Sequence, residues 1–137
     1  MPSPAHPLVA LRGGGSSLVL SHRPAGLPEI VHWGADLGEA DHLGGLLMAG
    51  DPPVPHSSLD DSWPLTLLPG EGDGWSGRPG LQAHRGGRAV IPGWSTTQVE
   101  AGQDRITVQA EDTDAGVALE CTLTIDDQGV LTIRHEI

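Results

Sequence analysis

Alternation of apolar and polar positions dominates the C-terminal third of the chain. Each alternating run predicts a β-strand, because successive side chains of a strand point to opposite faces, and the runs cover 96–100, 105–111, 117–125 and 130–137. In the third run four apolar residues share one face, namely Leu119, Cys121, Leu123 and Ile125. The connections over 112–116 and 126–129 contain the Asp and Gly residues that hairpin loops favour. We therefore predict an antiparallel meander.

The N-terminal third predicts three further strands and one helix. The strands cover 8–12, 18–22 and 29–33, and a glycine-rich turn over 13–17 joins the first two. The pattern then changes, because the leucines after residue 37 do not alternate. Glu39 and Asp41 precede them, which suits the positive end of a helix dipole. We predict a short helix over 39–48.

Residues 51–94 form a long stretch with no regular pattern. It contains seven prolines, many glycines and three of the four tryptophans, Trp63, Trp75 and Trp94. A disordered linker is one interpretation, but long loops of compact domains are often functional. The fold class expected is all-β: an antiparallel β-sandwich with one short helix and a long Trp-containing loop.

The length suits a single domain over residues 1–137. The chain stops at Ile137, inside the last predicted strand. An exposed apolar strand edge invites association, so we expect an incomplete sandwich, the N-terminal part of a longer protein.

Charge narrows the function classes. The net charge is −11, and arginine is the only strongly basic residue type, with seven copies. A nucleic-acid interface needs a basic face, and anionic membranes repel an acidic chain, so neither partner is expected. No apolar run is long enough for a spanning helix, and the N-terminus does not have the pattern of a signal peptide. A single cysteine forms no internal disulfide. These features favour a cytoplasmic protein.

Candidate metal and nucleophile patterns are weak. The seven histidines lack the close spacing of zinc ligands. Asp112, Asp114 and Gly116 resemble the start of a calcium loop, but its later ligands are missing, so a hairpin turn is the better interpretation. Cys121 alternates with apolar residues, which predicts a buried and inert thiol. We predict neither a metal site nor a cofactor.

The best candidate site is the loop over 56–85. It presents acidic, basic and aromatic side chains among glycines and prolines: Asp60, Asp61, Trp63, Trp75, Arg78 and His84. Tryptophan faces stack on sugar rings, and charged groups hydrogen-bond hydroxyls. The alternative is that the tryptophans anchor the loop on the sheet while the charges are solvated. Composition alone does not separate the two.

Two segments carry a family resemblance. Residues 30–38, Ile-Val-His-Trp-Gly-Ala-Asp-Leu-Gly, resemble the strand and aromatic-Gly turn near the start of the glycoside hydrolase family 36 α-galactosidases. Leu67-Leu68-Pro69 followed by residues 74–81, Gly-Trp-Ser-Gly-Arg-Pro-Gly-Leu, resemble a glycine-rich loop of that family. The order of strand hairpin, helix, long loop and meander also matches, so the resemblance extends over essentially the whole chain.

The resemblance implies a β-supersandwich domain that precedes a catalytic barrel. Such enzymes remove terminal α-linked galactose with retention of configuration, using two barrel aspartates, so no catalytic residue is expected in this chain. The resemblance also implies homo-oligomers in which the N-terminal loop reaches a sugar pocket. Carried over by position, it points to Asp60 or Asp61, Trp75 and Arg78 as contacts for α-galactosides. This sequence has Ser76-Gly77 where the family carries an acidic-aromatic pair.

Two other function classes remain open on the sequence. A stand-alone β-sandwich could bind carbohydrate with the same tryptophans. A protein-interaction domain could bury them at an interface.

Overall fold

The computed structural model describes residues 7–22, 25–39, 43–50 and 65–137. They form nine β-strands and one α-helix, in this order: β1 Leu8–Gly13, β2 Ser16–Ser21, β3 Glu29–Ala35, α1 Gly44–Gly50, β4 Ala83–Arg85, β5 Arg88–Val90, β6 Ser95–Ala101, β7 Arg105–Asp112, β8 Val117–Ile125 and β9 Leu131–Glu136.

The first sheet has the order β1-β2-β3, with both pairs antiparallel. Gly14 and Gly15 form the tight turn between β1 and β2, and both have positive φ angles, 55° and 78°. Glycine adopts this conformation without a steric penalty, which explains why glycine occupies positions 14 and 15. The predicted hairpin and third strand are confirmed, although β3 continues to Ala35.

The second sheet has the order β6-β7-β8-β9, and every neighbouring pair is antiparallel. The predicted meander is therefore confirmed. The Asp112 carboxylate accepts hydrogen bonds from the backbone N–H groups of Asp114 and Ala115 at 3.0 Å. It also accepts one from Gly93 at 2.8 Å. This residue closes the β7–β8 hairpin, as the hairpin interpretation requires.

The hydrophobic core lies between the two sheets. The first sheet contributes Leu11, Leu18 and Leu20. The second sheet contributes Ile106, Val108 and Ala110 of β7 and Leu119, Cys121, Leu123 and Ile125 of β8. Leu67, Leu68 and Trp94 pack into the same cluster. Full burial of a large aliphatic side chain is worth about 1.5–3 kcal/mol. Face-to-face packing of antiparallel sheets makes this an all-β sandwich, as predicted.

The helix is shorter and later than the prediction over 39–48. It spans Gly44–Gly50, and its first turn contains no acidic residue. Glu39 lies before it and forms an ion pair with Arg12 at 3.2 Å, beside the Arg12–Asp36 pair at 2.6 Å. The Glu39 carboxylate thus binds a strand arginine instead of the helix dipole, which is why its position misled the prediction. Asp41 lies outside the described residues.

The stretch predicted as irregular contains regular structure over residues 65–94. Thr66 forms an isolated antiparallel bridge with Glu29. Residues Glu71–Asp73 form a 3₁₀ turn, and β4 and β5 form a hairpin. The sequence prediction missed this hairpin because its strands have three residues each and are mostly exposed. The linker interpretation does not hold for residues 65–94, and residues 51–64 lie outside the described part of the chain.

Candidate functional site

Residues 69–80 form a closed loop, here named the Trp75 loop. The Gly80 N–H donates to the Pro69 carbonyl at 2.8 Å and joins the two ends. Within the loop, the Gly70 carbonyl accepts hydrogen bonds from the N–H groups of Asp73 at 3.0 Å and Trp75 at 3.2 Å. Gly74 ends the 3₁₀ turn in the left-handed conformation, with φ of 78°. These features define a compact Ω-loop held by its own backbone.

Close packing fixes the Trp75 loop against its surroundings. A methyl group on Gly72 would lie 2.6 Å from the Pro92 carbonyl oxygen, and one on Gly80 would lie 2.6 Å from Leu68 Cδ1. A methyl on Gly77 would lie 2.7 Å from Trp75 Nε1. A methyl group at any of the three positions would force a neighbour to shift, and at Gly72 that neighbour is backbone, which cannot rotate away. The loop therefore presents its side chains from a defined backbone.

Trp75 and Arg78 occupy this loop, as the sequence predicts. Trp75 is half-buried, and its indole N–H donates to the Arg78 carbonyl at 3.3 Å. This contact holds the ring against its own loop. The Arg78 side chain is exposed and has no hydrogen-bond or ion-pair partner among the described residues. Its guanidinium donors are available to a ligand.

The other candidates from the sequence have different positions. Asp60, Asp61 and Trp63 lie outside the described residues. His84 lies on β4 and is exposed. Trp94 is 5% exposed and belongs to the core. Trp94 lies beyond the candidate loop over 56–85, so its burial does not decide between the two interpretations of that loop, and Trp75 is half-buried.

Asp73 is a feature of the loop that sequence reasoning missed. Its side chain is half-buried, and burial raises the pKa of its carboxyl above the usual value. Desolvation disfavours the charged form, which is the cause of the shift. The signal in the sequence is its position two residues before Trp75, between the stretches 67–69 and 74–81 that carry the family resemblance.

A cavity of about 230 Å³ lies between the Trp75 loop and the β4–β5 hairpin. Its lining is mostly apolar, with Glu71 and Gln82 as polar members and Trp94 beside Leu68 and Pro92. Trp75 and Arg78 do not line it. The Trp75 and Arg78 side chains and the cavity thus lie at different places on the same loop. The cavity could not be anticipated because the hairpin on its other side was not predicted.

Neither a metal site nor a reactive thiol is visible in the described ranges. No group of three or more His, Cys, Asp or Glu side chains there could hold a metal ion. Cys121 is fully buried, and burial, with Glu120 nearby, raises the pKa of its thiol to about 12. The buried and inert thiol predicted from the alternation is confirmed. Among the same residues, no helix has the length and hydropathy needed to cross a membrane.

Two antiparallel sheets packed on one core, with a closed tryptophan loop, place the protein among β-sandwich domains. The profile of the glycosyl hydrolase family 36 N-terminal domain matches residues 26–137. An α-galactosidase of Escherichia coli is 32% identical over 122 residues, which cover 88% of this chain and 16% of that enzyme. No solved structure matches at a significant level. The chain belongs to the glycosyl hydrolase family 36 N-terminal domains, which confirms the resemblance, and it spans about a sixth of the curated relative it matches.

Proposed function

We propose that this domain is the N-terminal, non-catalytic part of an α-galactosidase that hydrolyses terminal α-galactosides. The observation that carries the proposal is the 32% identity with the Escherichia coli α-galactosidase. Retaining hydrolysis of this kind needs two carboxylates that flank the scissile bond, one as nucleophile and one as acid/base. We assign neither role to this chain and expect both from a separate catalytic domain.

The Trp75 loop would supply side chains to the sugar pocket. Trp75 offers a partly accessible aromatic face, and an aromatic face packs well against the C–H groups of a sugar ring. Arg78 offers unpaired donors to sugar hydroxyls. Asp60 or Asp61 would add a carboxylate acceptor. Because hydrogen bonds and close packing hold the loop, little conformational entropy is lost when a sugar binds.

We further propose that the enzyme is a cytoplasmic homo-oligomer. In this arrangement the Trp75 loop of one subunit completes the pocket of another. A second copy of the chain is thus the proposed protein partner, and neither nucleic acid nor membrane is needed.

The test uses Trp75→Ala and Trp75→Phe in the complete enzyme, assayed on p-nitrophenyl α-galactoside. Loss of an aromatic contact worth about 1.5 kcal/mol corresponds to an increase in KM of about tenfold for Trp75→Ala. Trp75→Phe keeps an aromatic face and should retain most of the affinity. Arg78→Ala should also raise KM, whereas Arg88→Ala on β5 is the matched arginine control and should not.

Wild-type kinetics in both Trp75→Ala and Arg78→Ala would reduce the loop to a scaffold. Turnover by the isolated chain at the rate of a complete enzyme would contradict the non-catalytic role. Saturable quenching of Trp fluorescence by galactosides in the isolated chain would instead favour a carbohydrate-binding module.

A further inference from the structure

His135 is a polar residue at an inward position of β9. Leu131 and Ile133, which precede it at alternate positions of the strand, pack against the hydrophobic core. His135 follows on the same face and lies opposite the fully buried Cys121 of β8. Alternation predicts an apolar residue at this position. The imidazole therefore needs a reason other than core packing.

That reason is a hydrogen bond to a distant segment. His135 Nε2 lies 2.9 Å from the carbonyl oxygen of Leu67, 68 residues earlier in the chain, and the contact is partly buried. A carbonyl oxygen only accepts hydrogen bonds, so Nε2 carries the proton and donates. The Leu67 N–H donates in turn to the Pro28 carbonyl at 3.0 Å. Pro28 directly precedes β3, so the backbone of Leu67 is bonded to both sheets of the sandwich.

The residues after Leu67 lead directly into the Trp75 loop. Leu67 and Leu68 are 4% and 6% exposed, and both belong to the core. Pro69 follows, and its carbonyl accepts the hydrogen bond from Gly80 that closes the loop. Close-packed interiors transmit strain because their side chains have little room to adjust separately. A shift of the Leu67 carbonyl therefore passes to the start of the loop.

His32 forms a similar bond with a different consequence. Its Nε2 lies 3.0 Å from the carbonyl oxygen of Ala35, three residues further along, and both residues belong to β3. This bond stabilises one strand end. The His135 bond instead joins the second sheet to the segment from which the Trp75 loop starts.

We propose that His135 is a positioning residue for the Trp75 loop, and that its bond to Leu67 sets the place of the loop relative to the second sheet. The imidazole bonds to protein backbone and acts on the sugar only through the loop. This inference rests on the proposed function of the Trp75 loop. The property required of residue 135 is a donor at the place of Nε2, so a different side chain that keeps this donor should keep the effect.

The experiment compares His135→Gln with His135→Asn in the complete enzyme, assayed on p-nitrophenyl α-galactoside. The glutamine amide reaches about as far as imidazole Nε2 and can donate to Leu67, whereas the asparagine amide is one methylene shorter and falls short of it. His135→Asn should raise KM about fivefold, the factor that corresponds to one net hydrogen bond, with kcat nearly unchanged. His135→Gln should stay near the wild-type KM. His32→Asn is the matched control, because it loses a histidine–carbonyl bond elsewhere, and it should also keep the wild-type KM.

A double-mutant cycle with Trp75→Ala shows whether His135 acts through the loop. If it does, the KM penalty of His135→Asn should largely vanish in the Trp75→Ala background, because the ring whose place it sets is gone. A general structural role would give the same factor in both backgrounds, and that result would overturn the inference. A penalty as large in His135→Gln or in His32→Asn would overturn it too.

Kinetics are measured well below the lowest melting temperature of the set, so that every variant is folded. Wild-type KM in His135→Asn together with a raised KM in Trp75→Ala would overturn the inference alone and leave the proposed function standing. Wild-type KM in both variants would remove the proposed role of the loop as well.

Discussion

Gly72→Ala provides a direct test of how tightly the Trp75 loop is packed. Gly72 lies in the 3₁₀ turn and does not have a positive φ angle, so alanine is compatible with its backbone. Its new methyl group would lie 2.6 Å from the Pro92 carbonyl oxygen and 3.7 Å from Ile91 Cγ2. The nearest obstacle is backbone, which cannot rotate away. The loop or the Pro92 segment must therefore move.

Overpacking of this kind costs about 1–3 kcal/mol. An unfolding entropy of about 2.1 cal/mol/K per residue gives roughly 0.29 kcal/mol/K for this length, so the melting temperature should fall by about 3–10 °C. Gly70→Ala is the matched control. It has an extended backbone, with φ of −143°, and its methyl group would meet no atom within 4 Å. That substitution should be neutral or stabilise by up to about 1 kcal/mol, since glycine loses more entropy on folding.

The assay is thermal and urea unfolding of the wild type, Gly72→Ala and Gly70→Ala, monitored by circular dichroism and Trp fluorescence. In the complete enzyme, Gly72→Ala should also raise KM, because the same shift displaces Trp75. Equal melting temperatures for Gly70→Ala and Gly72→Ala would refute the tight contact between the loop and Pro92.

Two further predictions concern titratable groups. The Arg12 guanidinium and the Gly38 N–H hold the pKa of Asp36 at about 2, below its ordinary 3.8. The contribution of Asp36 to stability is therefore present above pH 3.8 and lost as the pH falls through about 2. Arg12→Ala should raise the pKa of Asp36 in an NMR titration, and an unchanged value would argue against the Arg12–Asp36 pair. Burial raises the pKa of the Cys121 thiol from 9.0 to about 12. The contribution of Cys121 to stability is therefore present below pH 9 and lost towards pH 12. A thiol reagent at pH 8 should label the chain only in denaturant, and rapid labelling of the native chain would contradict the buried thiol.

The strands of the second sheet were predictable because their signals are local. Alternation in β8 assigned Leu119, Cys121, Leu123 and Ile125 to one face, and all four are buried. The turn signals of the Asp and Gly residues in the hairpins are also local, since these residues act on the backbone within a few positions of themselves. The helix start was less predictable, because the partner of Glu39 is Arg12, 27 residues earlier in the chain.

The candidate site was only partly predictable. Its residue types identified a broader loop over 56–85, and the structure places Trp75 and Arg78 in one closed loop within that range. Composition did not separate Trp94, which belongs to the core, from Trp75, which keeps an accessible face. The accessibility of each ring depends on the strands and loops packed against it, and the sequence around the residue does not specify them.

Sequence alone determined the β-rich fold class, the hairpin turns, the acidic character and the family resemblance, because periodicity, turn chemistry and charge belong to short segments. Tertiary structure decided the features that depend on packing between distant segments. It closed the loop between Pro69 and Gly80, formed the cavity against the β4–β5 hairpin, and left Asp73 half-buried without a partner among the described residues. Burial is a property of the assembled chain, and the chemistry inferred for this loop follows from it.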